Sequence, residues 1–180
     1  MSDPNAKARF ESVVVPHLPD AYALARWLAG NRADADDIVQ EACLRAYRAI
    51  STYAGGSSRA WLLTIVRNEA YTALRKNNNA LVSMEALDAR ERAAVDLGGH
   101  NGGATVATPE VELLAKADVR QLEAAISALP VEFREALVLR DIQGLEYREI
   151  AQVIAVPVGT VMSRLARARR RVAATIKQGG

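Results

Sequence analysis

Cys43 is the single cysteine in 180 residues, so no internal disulfide can staple the fold and packing must hold it. It stands among apolar and alanine positions and reads as a small buried hydrophobe rather than a reactive thiol. The two histidines, His17 and His100, lie far apart and have no cysteine neighbours. No metal-ligand cluster, phosphate-cradling glycine loop or nucleophile–base pairing stands out, so catalysis, a metal and a cofactor are all set aside. Long apolar runs are missing too: none approaches the roughly 18 residues of a membrane span. The first residues, MSDPNAKARFESVVVPHLPD, carry acids and prolines where a signal peptide needs a basic and then an apolar run. The expected location is the cytoplasm, with no membrane partner.

The composition that remains, 50% hydrophobic and 24% charged, fits a soluble globular protein of one or two small domains. The formal net charge is only +2, but its distribution is uneven. Residues 157 to 180 hold five Arg and one Lys and no acid, whereas residues 33 to 41 hold Asp34, Asp36, Asp37 and Glu41 and no base. An acidic patch early and a basic end suggest two partners of opposite character.

Strand signals are scarce and helical periodicity is common, so the expected class is all-α. Residues from about 5 to 29 carry Ala21, Leu24, Ala25 and Leu28 on one helical face. Asn31 and Asp34 supply turn and N-cap chemistry before a helix over about 34 to 50, with Ile38, Val39, Ala42, Cys43, Ala46 and Ile50 as its stripe. STYAGGSS, residues 51 to 58, reads as a loop. A helix over about 59 to 76 follows, with Trp61, Leu62, Ile65, Val66, Ala73 and Leu74 inward. Residues 77 to 109 read as a flexible linker by composition, around a short helix at 85 to 95. Helical periodicity then resumes to the end. The expected organisation is two small all-helical domains, 1 to 76 and 110 to 180, each with a thin core.

The second domain reads helix, turn, helix, turn, helix. Leu129-Pro130 marks a boundary because proline disfavours a helical residue before it. EFREALVLRD ends at Gly144; LEYREIAQVIA then forms a helix with Tyr147, Ile150, Ala151 and Ile154 inward. The short turn AVPVG leads into VMSRLARARRRV. Two helices joined so tightly are the helix-turn-helix signature, whose second helix enters the DNA major groove. Val161, Leu165, Ala168 and Val172 mark the inward face of that second helix. Thr160, Ser163, Arg164, Arg167 and Arg171 are expected to gather outward. Arg169 is placed towards the inner face and Arg170 on its margin. Arginine is shaped to grip phosphate or the O6/N7 edge of guanine. A solvated basic face, or a helix lying on anionic lipid, is the alternative; lipid insertion would want large apolar groups where this helix has Val and Ala.

EALVLRDIQGLEYREIAQVIAVPVGTVMSRLARARRRV resembles the fourth conserved region of bacterial sigma factors of the sigma-70 family, and more narrowly the extracytoplasmic-function (ECF) group. The resemblance implies that the arginine helix reads the −35 promoter element. Two positions depart from the pattern: Leu145 stands where Ser or Thr often caps the first helix, and Ala155 where a turn glycine is common.

NRADADDIVQEACLRAYRAI, residues 31 to 50, is similar to the helix by which these factors grip the clamp of core RNA polymerase. Its outward side carries Asp37, Gln40, Glu41, Leu44 and Arg48, with an apolar Leu44 among charges as at an interface centre. By the residues alone, an ordinary surface with a Glu41–Arg45 pair explains that face equally well. GGSSRAWLLTIVRNEAYTALRK is similar to the family's −10 module, which melts the promoter and holds unstacked bases. Arg59, Arg67, Arg75 and Lys76 offer a basic track and Asn68 a base-edge partner. Ser57 and Ser58 in the Gly-Ser loop offer hydroxyls for a flipped base. Tyr71 can stack on DNA or join the core; Trp61 and Trp27 read as core. Aromatics are only 5% of the chain, in keeping with a group that melts DNA with few aromatics and stricter promoters.

The resemblance thus implies a promoter-specificity subunit of bacterial RNA polymerase with no catalysis of its own. Its partners would be core polymerase, promoter DNA and an anti-sigma factor. Two rivals remain: a dimeric helix-turn-helix regulator on a palindromic operator, and a sigma-like decoy that only sequesters an anti-sigma factor.

Overall fold

The computed structural model describes residues 4–76 and 109–178, and every regular element among them is helical. The expected linker, apart from Pro109, and the short helix at 85 to 95 lie outside the described residues. The first group comprises α1 (Pro4–Val13), α2 (Leu18–Ala29), α3 (Arg32–Ala49) and α4 (Ser58–Lys76). The second comprises α5 (Pro109–Ser127), α6 (Val131–Leu137), α7 (Tyr147–Ile154) and α8 (Val158–Gln178).

Local chemistry sets most boundaries. The helical stretch expected over 5 to 29 is broken by a 3-10 turn at Val15–His17. Pro16 breaks it, since it has no N–H to continue the helical ladder, and Pro19 lies in the first turn of α2, where a missing N–H costs nothing. Gly30 closes α2 at φ 79°, a left-handed conformation that glycine adopts freely. Asn31 caps α3 by accepting the Asp34 N–H at 2.9 Å, as its sequence suggests. Ser57 opens α4: its Oγ accepts the Ala60 N–H at 3.2 Å.

In the second group Pro130 starts α6, its carbonyl accepting from the Phe133 and Arg134 N–H groups. A π-helical turn, Val138–Ile142, widens the end of α6. The missing Ser or Thr cap before α7 is replaced by a capping box: Glu146 and Glu149 each satisfy the other's backbone N–H. Leu145, beside it, is buried and serves the core.

Ala155 ends α7 at φ 54° and ψ 47°, the left-handed region where a Cβ is strained. Ala155→Gly should therefore raise stability by about 0.5–1 kcal/mol, after allowing for glycine's looser unfolded chain. Urea unfolding would check this; a loss of stability would mean that the Ala155 methyl makes a packing contact worth more than the strain.

The two groups share one apolar core. It runs from Val14, Leu24, Leu28 and Leu62 to Phe133, Leu139, Ile150 and Leu165. Within the first group α2, α3 and α4 pack on one another; within the second α8 packs on α5, α6 and α7. Helix α4 also packs on α7, and α2 on α6. Each thin core thus leans on the other. No single helix among the described residues is long and apolar enough to cross a membrane.

Candidate nucleic-acid and polymerase interfaces

Three surfaces carry the residues singled out by sequence. The first is α3. Its buried stripe, Ala35, Ile38, Ala42 and Ala46, turns Asp37, Gln40, Leu44 and Arg48 to solvent, with Glu41 half-buried. Leu44 is 53% exposed, an apolar side chain among acids. It borders an apolar groove of about 610 Å³ whose walls include Phe10, Leu18, Tyr22, Val39, Cys43 and Tyr47. Cys43 is half-buried at this groove, and burial pushes its thiol pKa up, so it is not an activated nucleophile. The Glu41–Arg45 pair exists at 3.6 Å, but Arg45 lies closer to the buried Glu69, at 2.6 Å.

The second surface is α4 with its preceding loop. Asn68, Arg75 and Lys76 are exposed, as a DNA track requires. Arg59 and Arg67 are not free. Arg59 binds Asp20 Oδ2 through Nε at 2.6 Å and donates to the Gln143 carbonyl at 2.8 Å. Arg67 grips Glu135 in a fork, Nε to Oε2 at 2.8 Å and Nη2 to Oε1 at 3.2 Å. Its guanidinium also lies over the Tyr71 ring, 4.1 Å from the centroid.

Tyr71 itself is buried, so of its two options it takes the core. Ser57 donates to Glu149 Oε1 at 2.9 Å, and Ser58 Oγ lies 2.8 Å from His17 Nε2. Trp61 is half-buried, packed on the core and against Tyr53 at 5.0 Å between ring centroids. Both rings line a pocket of about 470 Å³ over the Gly-Ser loop, which Gln152 of α7 helps to close.

The third surface is α8. It follows α7 after the turn at residues 155 to 157, and the two axes bend by 97°, within the range of a helix-turn-helix. Val161, Leu165, Ala168 and Val172 are buried, as their spacing suggests. The outward grouping expected beside them needs correction. Arg164 is only 12% exposed and reaches Glu135 Oε1 at 3.3 Å. Arg171 is half-buried with its guanidinium 5.2 Å from the Phe133 ring centroid, and Thr160 and Arg167 are also half-buried.

Arg169, placed towards the inner face by sequence, and Arg170, placed on its margin, are exposed instead, as is Ser163. Arg169 pairs with Asp141 at 2.7 Å. Angle accounts for Arg170 and packing for the rest. At 100° per residue Arg164 and Arg169 both lie about 70° from the centre of the buried stripe, on opposite flanks, and Arg170 roughly opposite it. The α6 side chains Glu135 and Phe133 cover the flank of Arg164 and Arg171 and leave that of Arg169 open.

Glu135 was missed as a site residue. It is 0% exposed, and burial pushes its carboxyl pKa up while Arg67 and Arg164 pull it down. Burial works against the charge on Arg67, and Glu135 beside it more than restores it, leaving that guanidinium above its ordinary pKa. One sequence signal could have exposed Glu135: a lone acid inside the apolar run FREALVL, where the inner face of α6 has no room for solvent. Asp20, Gln143 and Glu149 gave no such signal. Among the described residues no group of His, Cys, Asp or Glu could hold a metal ion.

Comparison with known proteins accounts for both groups. Residues 13–80 match the sigma-70 region 2 family model and residues 119–172 the sigma-70 region 4 model. The chain is 34% identical over 174 residues to the ECF RNA polymerase sigma factor SigE of Mycolicibacterium smegmatis, covering 94% of this chain and 62% of that one. It is 37% identical over 141 residues to the ECF RNA polymerase sigma-E factor of Escherichia coli K12, covering 77% and 72%.

Among solved structures it resembles the sigma factor RpoE of Bartonella quintana, crystallised with the anti-sigma factor NepR. The TM-score is 0.67 at 27% identity, over 93% of this chain and 96% of that one. Sigma factors are not a family of enzymes; they direct promoter-specific initiation. With regions 2 and 4 both matched, in order, on the helices that sequence singled out, the chain belongs to the ECF group of the sigma-70 family of RNA polymerase sigma factors.

Proposed function

We propose that this chain docks on the clamp of core RNA polymerase through Asp37, Gln40, Glu41, Leu44 and Arg48 of α3. Residues 1 to 76 form the docking and −10 module, residues 77 to 109 the linker and residues 110 to 180 the −35 module. The −10 strand runs along Asn68, Arg75 and Lys76, joined by Arg59 and Arg67 when their protein partners let go, and Ser57 and Ser58 line the pocket for an unstacked base. The −35 element meets α8, where Thr160, Ser163, Arg164, Arg167 and Arg171 reach its bases and phosphates. The protein acts in the cytoplasm, has no catalysis of its own, and takes an anti-sigma factor as a further partner, as the Bartonella protein does.

The observation that supports this most is the 97° turn that presents the basic α8, on the same chain as an acidic α3 with an exposed Leu44. A protein partner and a nucleic-acid partner then have separate faces, and polymerase makes the second DNA contact intramolecular. Run-off transcription tests it, with purified protein added to sigma-free core enzyme on a pool of genomic promoter fragments. Discrete protein-dependent transcripts are expected. Tight operator binding without transcripts would favour an ordinary regulator, and no DNA binding at all a decoy. Arg167→Ala should cost about 1–3 kcal/mol of discrimination between the recovered −35 element and a scrambled one. Equal weakening on both would make Arg167 a phosphate contact.

A further inference from the structure

The Gly-Ser loop that forms the pocket beside Trp61 has little to hold its own shape. Ala54, Gly55, Gly56 and Ser57 are exposed, and both glycines sit at positive φ, 100° and 91°. Glycines fix no single backbone conformation by themselves. The two ends of the loop are gripped instead, and both grips come from the segment that precedes α2. At the start Arg9 of α1 donates through Nη2 to the Tyr53 carbonyl, and its guanidinium carbon lies 6.0 Å from the Tyr53 ring centroid. At the end His17 Nε2 meets the Ser58 hydroxyl at 2.8 Å. Between them the Tyr53 hydroxyl donates to the Gly56 carbonyl at 2.7 Å and closes the loop on itself. The gripping segment has its own anchors: the Phe10 ring packs edge-on against Tyr47 at 5.5 Å, and Val14 is fully buried.

We propose that Arg9 and His17 are positioning residues for the −10 base pocket, holding its loop in the shape that an unstacked base requires. The proposal rests on the assignment of that loop to the base. Capturing a base in an unstructured loop costs the entropy of ordering the loop at the moment of binding. A loop ordered beforehand avoids that cost, so the grips raise affinity without touching DNA. Arg9 acts through Tyr53: fixing its carbonyl and ring fixes one wall of the pocket, with the Trp61 ring 5.0 Å away as the next. His17 acts through Ser58, the first residue of α4, and so sets where the loop joins that helix. Arg9 also precedes residues 13–80, the stretch that matches the region 2 family model, so its grip lies outside what that match covers.

The test uses sigma-free core enzyme saturated with each full-length variant. The probe is a fork template carrying the promoter recovered by run-off transcription, with its −10 region single-stranded and each −10 base replaced in turn by an abasic site. With the parent protein, the abasic site that weakens binding most marks the captured base. On the intact template Arg9→Ala should weaken binding about tenfold, the worth of one hydrogen bond from a charged donor. His17→Ala should weaken it about threefold, as loss of an ordinary hydrogen bond does. On the template abasic at the captured position both variants should match the parent within about twofold, because no base is left for the loop to hold. Arg9→Lys and His17→Gln, which keep a hydrogen-bonding group within reach, should recover most of the loss. Arg9 and His17 are only half-buried, so all four variants should fold and melt near the parent.

An equal loss on intact and abasic templates would overturn the proposal and make the two residues direct DNA contacts or general supports of the fold. Unchanged binding of the intact template by the folded alanine variants would overturn it too. If no abasic site weakens binding by the parent, the loop holds no base, and the proposal falls with that assignment rather than on its own account.

Discussion

Leu44→Glu is expected to abolish binding to core RNA polymerase while leaving the melting temperature unchanged. Leu44 is 53% exposed on α3, so its replacement removes little from the core and adds no strain. On an interface the same change acts twice. It removes an apolar anchor from the centre of a polar surface and leaves a carboxylate to be desolvated against the partner. Together these should cost about 3 kcal/mol or more, over a hundredfold in affinity. The neighbours Asp37, Glu41 and Arg48 can keep steering the encounter, so the loss should lie mainly in the off-rate. Titration of labelled core enzyme with the variant reads this directly. Normal co-purification of a folded Leu44→Glu protein with core enzyme would show that the clamp meets another face.

Phe133→Ala should lower stability by about 3–5 kcal/mol, as removal of a fully buried aromatic ring does. Phe133 is 0% exposed and is the largest of the fully buried side chains among the described residues. Its ring also lies beneath the Arg171 guanidinium, so the substitution removes one contact of α8 as well. Because both helical groups contribute to one apolar core, unfolding should begin earlier as a single transition. Thermal and urea melts followed by circular dichroism would check both points. Two separate transitions, with only one displaced, would mean that the groups fold independently. A loss under about 1 kcal/mol would mean that neighbours collapse into the space.

Much of this was legible in the sequence because the signals are local. Helical periods, the Asn31 cap and the proline-bounded starts all depend on residues within one or two turns. So does the turn at residues 155 to 157. The Gly-Ser loop and the exposed side of α3 were readable for the same reason: one apolar stripe defines its own opposite face. The break at Pro16 was locally visible as well, and the longer apolar pattern around it masked it.

What local pattern could not settle was which groups lie between two packed helices. Arg164 and Arg171 sit beside the buried stripe of α8, where their exposure depends on what α6 brings against them, namely Glu135 and Phe133. Arg59 and Arg67 read as a free basic track, yet their carboxylate and carbonyl partners are distant in the chain or belong to the other group. Tyr71 joined the core for the same reason. The sequence by itself determined the helices, their caps, the helix-turn-helix and the separation of an acidic from a basic surface, since each is written in side chains a few residues apart. Only the tertiary structure decided which arginines are already occupied, because an ion pair between residues 67 and 135 depends on a fold that brings two distant helices within 3 Å.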